Sequence, residues 1–112
     1  MLRNVYRALF LGLFLPFRGL HSHMFIPPPR DIMLSILRQK IDHMDNHIYN
    51  LLAIRLKLAE ETTRFKTNIT SPEREASIIE RLSRKGRVNR DLVETMWTRI
   101  FEESRRLQEE KS

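Results

Sequence analysis

The chain has 112 residues, 41% of them hydrophobic and 30% charged, a balance that fits one small soluble domain rather than a disordered or membrane protein. It contains no cysteine, so disulfides and cysteine-ligated metals are excluded, and a chain this short must draw its stability from packing or oligomerisation. The formal charge of +6 and a pI near 10.3 suit an anionic partner, without choosing between a small ligand and a nucleic acid.

Residues 1–30 differ in character from the rest. Arg3 and Arg7 precede an apolar run from Ala8 to Phe17, Arg18 follows at once, and a His-containing link leads to Pro27-Pro28-Pro29. The run is too short to cross a bilayer, so no integral membrane span is expected. Its order of regions is that of a signal peptide, but no small-x-small cleavage site follows. The segment is therefore expected to be a leader or an upstream extension before Met24 or Met33, in a cytoplasmic protein. An exported or periplasmic protein is the alternative if residues 1–23 act as a signal. The prolines favour an extended separator, and the folded domain is expected over 31–112.

From Ile32 to about Thr67 neither Pro nor Gly interrupts the chain, and apolar side chains recur at Leu37, Ile41, Met44, Ile48, Leu51, Leu58 and Phe65. The spacing predicts one long helix. At 1.5 Å per residue it reaches roughly 50 Å, beyond the diameter of about 30 Å expected for a globule of its size. Its seam should continue onto a second chain in coiled-coil fashion. A break at Asn68–Thr70 precedes Ser71-Pro72-Glu73, where Ser71 is placed to cap a second helix and Pro72 suits its first turn. That helix carries Ile78, Ile79 and Leu82 and should stop at Gly86. Asn89 is placed to cap a third helix, with Val93, Trp97, Ile100 and Phe101 on one face and a charged tail from Glu109 to Ser112. No strand pattern, repeat or phosphate-binding Gly-rich loop is present. The fold class is all-α, with three helices per chain, one long and two shorter, forming an intertwined helical dimer.

Polar residues interrupt the apolar faces. Arg55 stands where the seam from Leu51 to Leu58 calls for a core side chain, which reads either as a site cation or as a structural ion pair or snorkelling arginine. Arg38 and Lys66 lie four heptads apart on one helix face, about 42 Å along it, and cannot meet within one chain. In an antiparallel dimer, Arg38 of one chain approaches Arg55 and Lys66 of the other, giving two equivalent cationic sites. Glu75 stands one turn before Ile78 and Ile79, and Ser104 and Gln108 extend the Val93, Trp97, Phe101 stripe. His43 and His47 have the i, i+4 spacing of a metal pair but lack a third ligand, so no metal is expected. The cluster Arg81, Arg84, Lys85, Arg87 flanks the Gly86 turn as in some DNA-binding helix pairs, but Glu73, Glu75 and Glu80 interrupt it, so no nucleic acid is expected.

From Leu37-Arg38-Gln39-Lys40-Ile41-Asp42 through Gln108, the chain resembles the all-α (AroQ-type) chorismate mutases. The resemblance rests on Arg38, Asp45 with Leu52, Arg55, Phe65-Lys66, Arg74-Glu75, Glu80-Arg81-Leu82, and Ser104 followed by Gln108. It implies a homodimer with sites shared between chains, acting on the dicarboxylate chorismate without cofactor or metal and yielding prephenate for phenylalanine and tyrosine biosynthesis. Arg55 and Arg38 of the partner chain would hold the substrate carboxylates, with Ser104 assisting one of them. Lys66 and Gln108 would hydrogen-bond the ether oxygen of the breaking bond, Glu75 would engage the ring hydroxyl, and Arg74 would complete the polar wall. Ser71 stands where the family often has Asp, which weakens its implied hydroxyl contact. An isochorismate pyruvate lyase, which forms salicylate, resembles the same fold and shares the Arg64-Phe65-Lys66 exit, whereas Glu75 with Ser104 favours the mutase. A non-catalytic helical interaction module is the reading from another class.

Overall fold

The computed structural model of the protein describes residues 26–65 and 71–111, which form three α-helices and one 3-10 turn, with no strand among them. The leader through residue 25, the break at 68–70, Lys66 and Ser112 lie outside the described residues. Helix α1 spans Arg30–Glu61, α2 spans Pro72–Arg84 and α3 spans Arg90–Lys111. No helix among the described residues is long and apolar enough to cross a membrane. Contacts divide the chain into two compact units, Met1–Ile41 and Asp42–Ser112.

In the first unit, the prolines give way to α1 where the Met33 N–H donates to the Pro29 carbonyl at 2.9 Å. Proline at that point supplies the acceptor and needs no donor.

In the second unit α1 stops earlier than the sequence predicts. The α-helix ends at Glu61, and Thr62–Arg64 tighten into the 3-10 turn, so Arg64 and Phe65 are not part of the helix proper. The cause is local. The Thr62 hydroxyl donates to the Ala59 carbonyl at 2.6 Å and the Thr63 hydroxyl to the Glu60 carbonyl at 2.7 Å, occupying acceptors that the last turn of a helix leaves open.

Helix α2 begins at Pro72 as predicted, but the Ser71 hydroxyl makes no capping hydrogen bond. Its carbonyl accepts the first bond of the helix, from the Glu75 N–H at 3.0 Å. Glu73 and Glu75 in the first turn and Arg81 and Arg84 in the last match the helix dipole. Gly86 takes the left-handed conformation, φ 71°, that a β-carbon would disfavour. Asn89 caps α3, its side-chain oxygen accepting the Asp91 N–H at 2.8 Å and the Leu92 N–H at 3.4 Å. Helix α3 continues through the segment expected to be a tail. Arg106 bridges Glu103 and Glu110 there, and Lys111 lies 3.8 Å from Glu60 and 3.7 Å from Glu61, fixing the end of α3 beside the end of α1.

Helices α2 and α3 form an antiparallel hairpin, as their two cross-links require: Glu80–Arg90 lies near the connecting turn and Glu75–Arg105 farther from it. Among the described residues Ile78, Val93 and Phe101 are the buried apolar ones, while Trp97 and Ile100 are half-buried. Helix α1 buries no residue completely, and Met44, Ile48, Leu51 and Leu58 of its seam are exposed. A seam of this length left open to water is a large apolar surface without a partner among the described residues.

Candidate functional site

The three helices of the second unit enclose a cavity of about 290 Å³. This is near the lower end of small-ligand pocket volumes. Each element contributes by helical stride. Arg55 and Ala59 come from one face at the end of α1 and Thr62 from the 3-10 turn that follows, and Ser71, Arg74, Glu75 and Ile78 come from the N-cap and first turns of α2. Phe101, Ser104, Arg105 and Gln108 come from one face of α3.

Among the described residues three guanidiniums and one carboxylate line this cavity, an excess of two positive charges. Arg55 is half-buried, and its guanidinium carbon lies 5.5 Å from the centre of the Phe101 ring. An aromatic face thus serves where a carboxylate partner was considered from sequence. Burial, and secondarily the positive field of Arg74, pushes the Arg55 guanidinium below its ordinary range. Among the described residues neither Arg55 nor Arg74 has a carboxylate partner, whereas Arg105 donates to Glu75 at 2.6 Å.

The neutral groups are engaged. Gln108 is only 4% exposed and donates through Nε2 to the Ala59 carbonyl at 2.8 Å and to Thr62 Oγ1 at 3.1 Å. Because the carbonyl is an acceptor only, these bonds fix the orientation of the amide. Ser104, 7% exposed, donates its hydroxyl back to the Ile100 carbonyl at 2.7 Å. Both groups sit in the cavity wall, and to donate to a ligand Ser104 must give up a backbone acceptor and Gln108 either the Ala59 carbonyl or the Thr62 hydroxyl.

Of the residues singled out in the sequence, Arg55, Ser71, Arg74, Glu75, Ser104 and Gln108 line this one cavity. Arg38 is exposed, belongs to the other unit and is not among the lining residues, and Lys66 lies outside the described residues. Two polar lining residues escaped the sequence reading, Thr62 and Arg105. Each had a signal, since Thr62 lies seven residues beyond Arg55 and Arg105 four beyond Phe101, the strides that keep side chains on one helix face.

A family model for chorismate mutase type II matches residues 37–109. The chain belongs to that family. No solved structure gives a significant match to it. In this chorismate mutase family member, the match takes in every lining residue of the cavity and the position of Lys66.

Outside the cavity, His43 and His47 meet on the exposed surface of α1, Nε2 to Nε2 at 3.0 Å with the rings edge to face. Among the described residues no group of three or more potential ligands could hold a metal ion. In the basic cluster, Arg84 is paired with Glu80 at 3.2 Å.

Proposed function

We propose that this chain is a chorismate mutase that rearranges chorismate to prephenate in the biosynthesis of phenylalanine and tyrosine. The observation that carries the reading is the pair of guanidiniums, Arg55 and Arg74, without carboxylate partners in a cavity whose net charge complements a dianion. Guanidiniums bind carboxylates in planar, two-pronged fashion and so fix orientation as well as charge. Family membership supplies the substrate class.

The reaction is a unimolecular pericyclic shift in which one C–O bond breaks as one C–C bond forms. It needs neither nucleophile nor metal nor cofactor. The protein selects the compact conformer and aims donors at the ether oxygen, where negative charge develops. In this reading Arg55, with Arg38 of a second copy of the chain and Ser104, holds the carboxylates. Lys66 and Gln108 serve the ether oxygen, Glu75 accepts from the ring hydroxyl, and Arg74 and Ser71 close the polar wall. The exposed seam of α1 at Met44, Ile48, Leu51 and Leu58 supports a homodimer that would supply that second Arg38. Residues 31–112 would form the catalytic domain, in the cytoplasm unless residues 1–23 direct export.

The test is a purified-protein assay with chorismate and, separately, isochorismate, alongside Lys66→Ala. Prephenate formation that falls by roughly 10²-fold or more in the variant, the typical worth of a preorganised donor, supports the mutase. Salicylate and pyruvate from isochorismate as the dominant products would reassign it as the lyase. A folded protein that turns over neither would leave a helical interaction module.

A further inference from the structure

The cavity poses a pairing problem. A carboxylate, Glu75, shares it with three guanidiniums, and a dianionic ligand needs at least two of them. If Glu75 paired with Arg55 or Arg74 it would occupy the cations that the ligand requires and repel the ligand as well. In the structure Glu75 does neither. Its Oε2 accepts from Nη1 of Arg105 at 2.6 Å, across the α2–α3 hairpin, and the two side chains are 26% and 28% exposed. Arg105 rises from α3 between Phe101 and Gln108, so it reaches Glu75 from a different helix than the one that carries Arg74.

We propose that Arg105 is a positioning residue that draws Glu75 away from Arg55 and Arg74. It thereby keeps those two guanidiniums available for a dicarboxylate and leaves the second oxygen of Glu75 for the substrate hydroxyl. This inference rests on the mutase reading of the site. It differs from a purely structural cross-link in one respect: Arg105 decides which cations are free. Removing it should harm binding through Glu75, so removing Glu75 as well should undo that harm.

The experiment measures kcat and KM for chorismate in the wild type, Arg105→Gln, Arg105→Lys, Glu75→Gln and the Arg105→Gln/Glu75→Gln double variant, with thermal melts as the folding control. Arg105→Gln is expected to raise KM about tenfold or more with a smaller change in kcat. Lysine at this position should recover part of the loss. Adding Glu75→Gln to Arg105→Gln should bring KM back down, while kcat settles at the value of Glu75→Gln alone. An unchanged KM in Arg105→Gln, or KM losses that simply multiply in the double variant, would overturn the inference, whatever happens to the melting temperature. A crystal structure of Arg105→Gln provides a readout independent of turnover. Glu75 moved onto Arg55 or Arg74 supports the inference, and Glu75 left in place refutes it. Inactivity of the wild type towards chorismate would overturn the mutase reading, and the crystallographic result would still decide what Arg105 does to Glu75.

Discussion

The contact between Arg55 and Phe101 makes a quantitative prediction about stability. Arg55 is held in the cavity wall against two opposing influences. Burial and the nearby Arg74 disfavour its charge, whereas the Phe101 face, 5.5 Å from the guanidinium carbon, attracts it. A cation over an aromatic ring is worth about 0.5–1 kcal/mol at a partly exposed site. Replacing Arg55 with methionine removes both influences, so its net effect on folding should be small. Replacing Phe101, which is 6% exposed, with leucine should cost about 1–2 kcal/mol from lost packing and lost attraction together. The decisive quantity is the coupling. In a Phe101→Leu background the arginine keeps its penalties and has lost its compensation, so Arg55→Met should be more favourable there than in the wild type by about 0.5–1 kcal/mol. Urea unfolding of the four proteins at one fixed protein concentration measures this, fixed because any association would make stability concentration-dependent. Additivity of the two substitutions to within about 0.3 kcal/mol would refute the claim that the ring holds the guanidinium.

Three further outcomes follow from local geometry. Thr62→Val removes the hydroxyl that donates to Ala59 and receives Gln108, and should lower stability by about 1 kcal/mol in the same assay. Gly86→Ala, which forces a β-carbon into φ 71°, should cost about 1 kcal/mol or more, and Gly86→Asn less. The Glu80 carboxyl is held below its ordinary range chiefly by the hydrogen bond from Arg90 and then by that from Arg84. A folded-state value below the unfolded one stabilises the protein at pH above the unfolded value, and the effect is lost as pH falls through the folded one. Glu80→Gln should therefore lower the melting temperature at neutral pH, with the difference disappearing below about pH 4.

The sequence exposed the helices where backbone chemistry is unambiguous and missed detail where two side chains compete for one backbone group. Gly86 and Asn89 announced the α2–α3 turn because the left-handed position and the side-chain cap each admit few residue types. The end of α1 was misjudged by a turn. Thr62 and Thr63 fit a helical stride as well as any residue, and only their hydroxyls bonding to Ala59 and Glu60 tighten the backbone there. Ser71 misled in the opposite way, occupying the cap position while its hydroxyl makes no capping bond. In the site, Arg55, Ser104 and Gln108 stood out as polar residues on apolar faces. Arg105 did not, because next to Arg106 it reads as one more solvated charge until the α2–α3 packing sets it against Glu75.

The state of the cavity separates what binds from what reacts. On the mutase reading proposed above, Arg55 and Arg74, which have no carboxylate partner among the described residues, would take up the substrate carboxylates with little rearrangement, so that step should dominate KM. The neutral donors are different. Ser104 donates to the Ile100 carbonyl, and Gln108 spends its amide hydrogens on Ala59 and Thr62. Exchanging one hydrogen bond for another of similar strength yields little net free energy, so, on the mutase reading proposed above, a substrate ether oxygen in its ground state would gain little from Gln108. Once that oxygen acquires negative charge the exchange becomes favourable, since bonds to charged acceptors are about twice as strong. A self-satisfied amide beside free cations is therefore suited to discriminate the transition state from the substrate. On this argument Thr62, by holding the amide of Gln108 in reserve, influences kcat although it need never touch the reacting atoms.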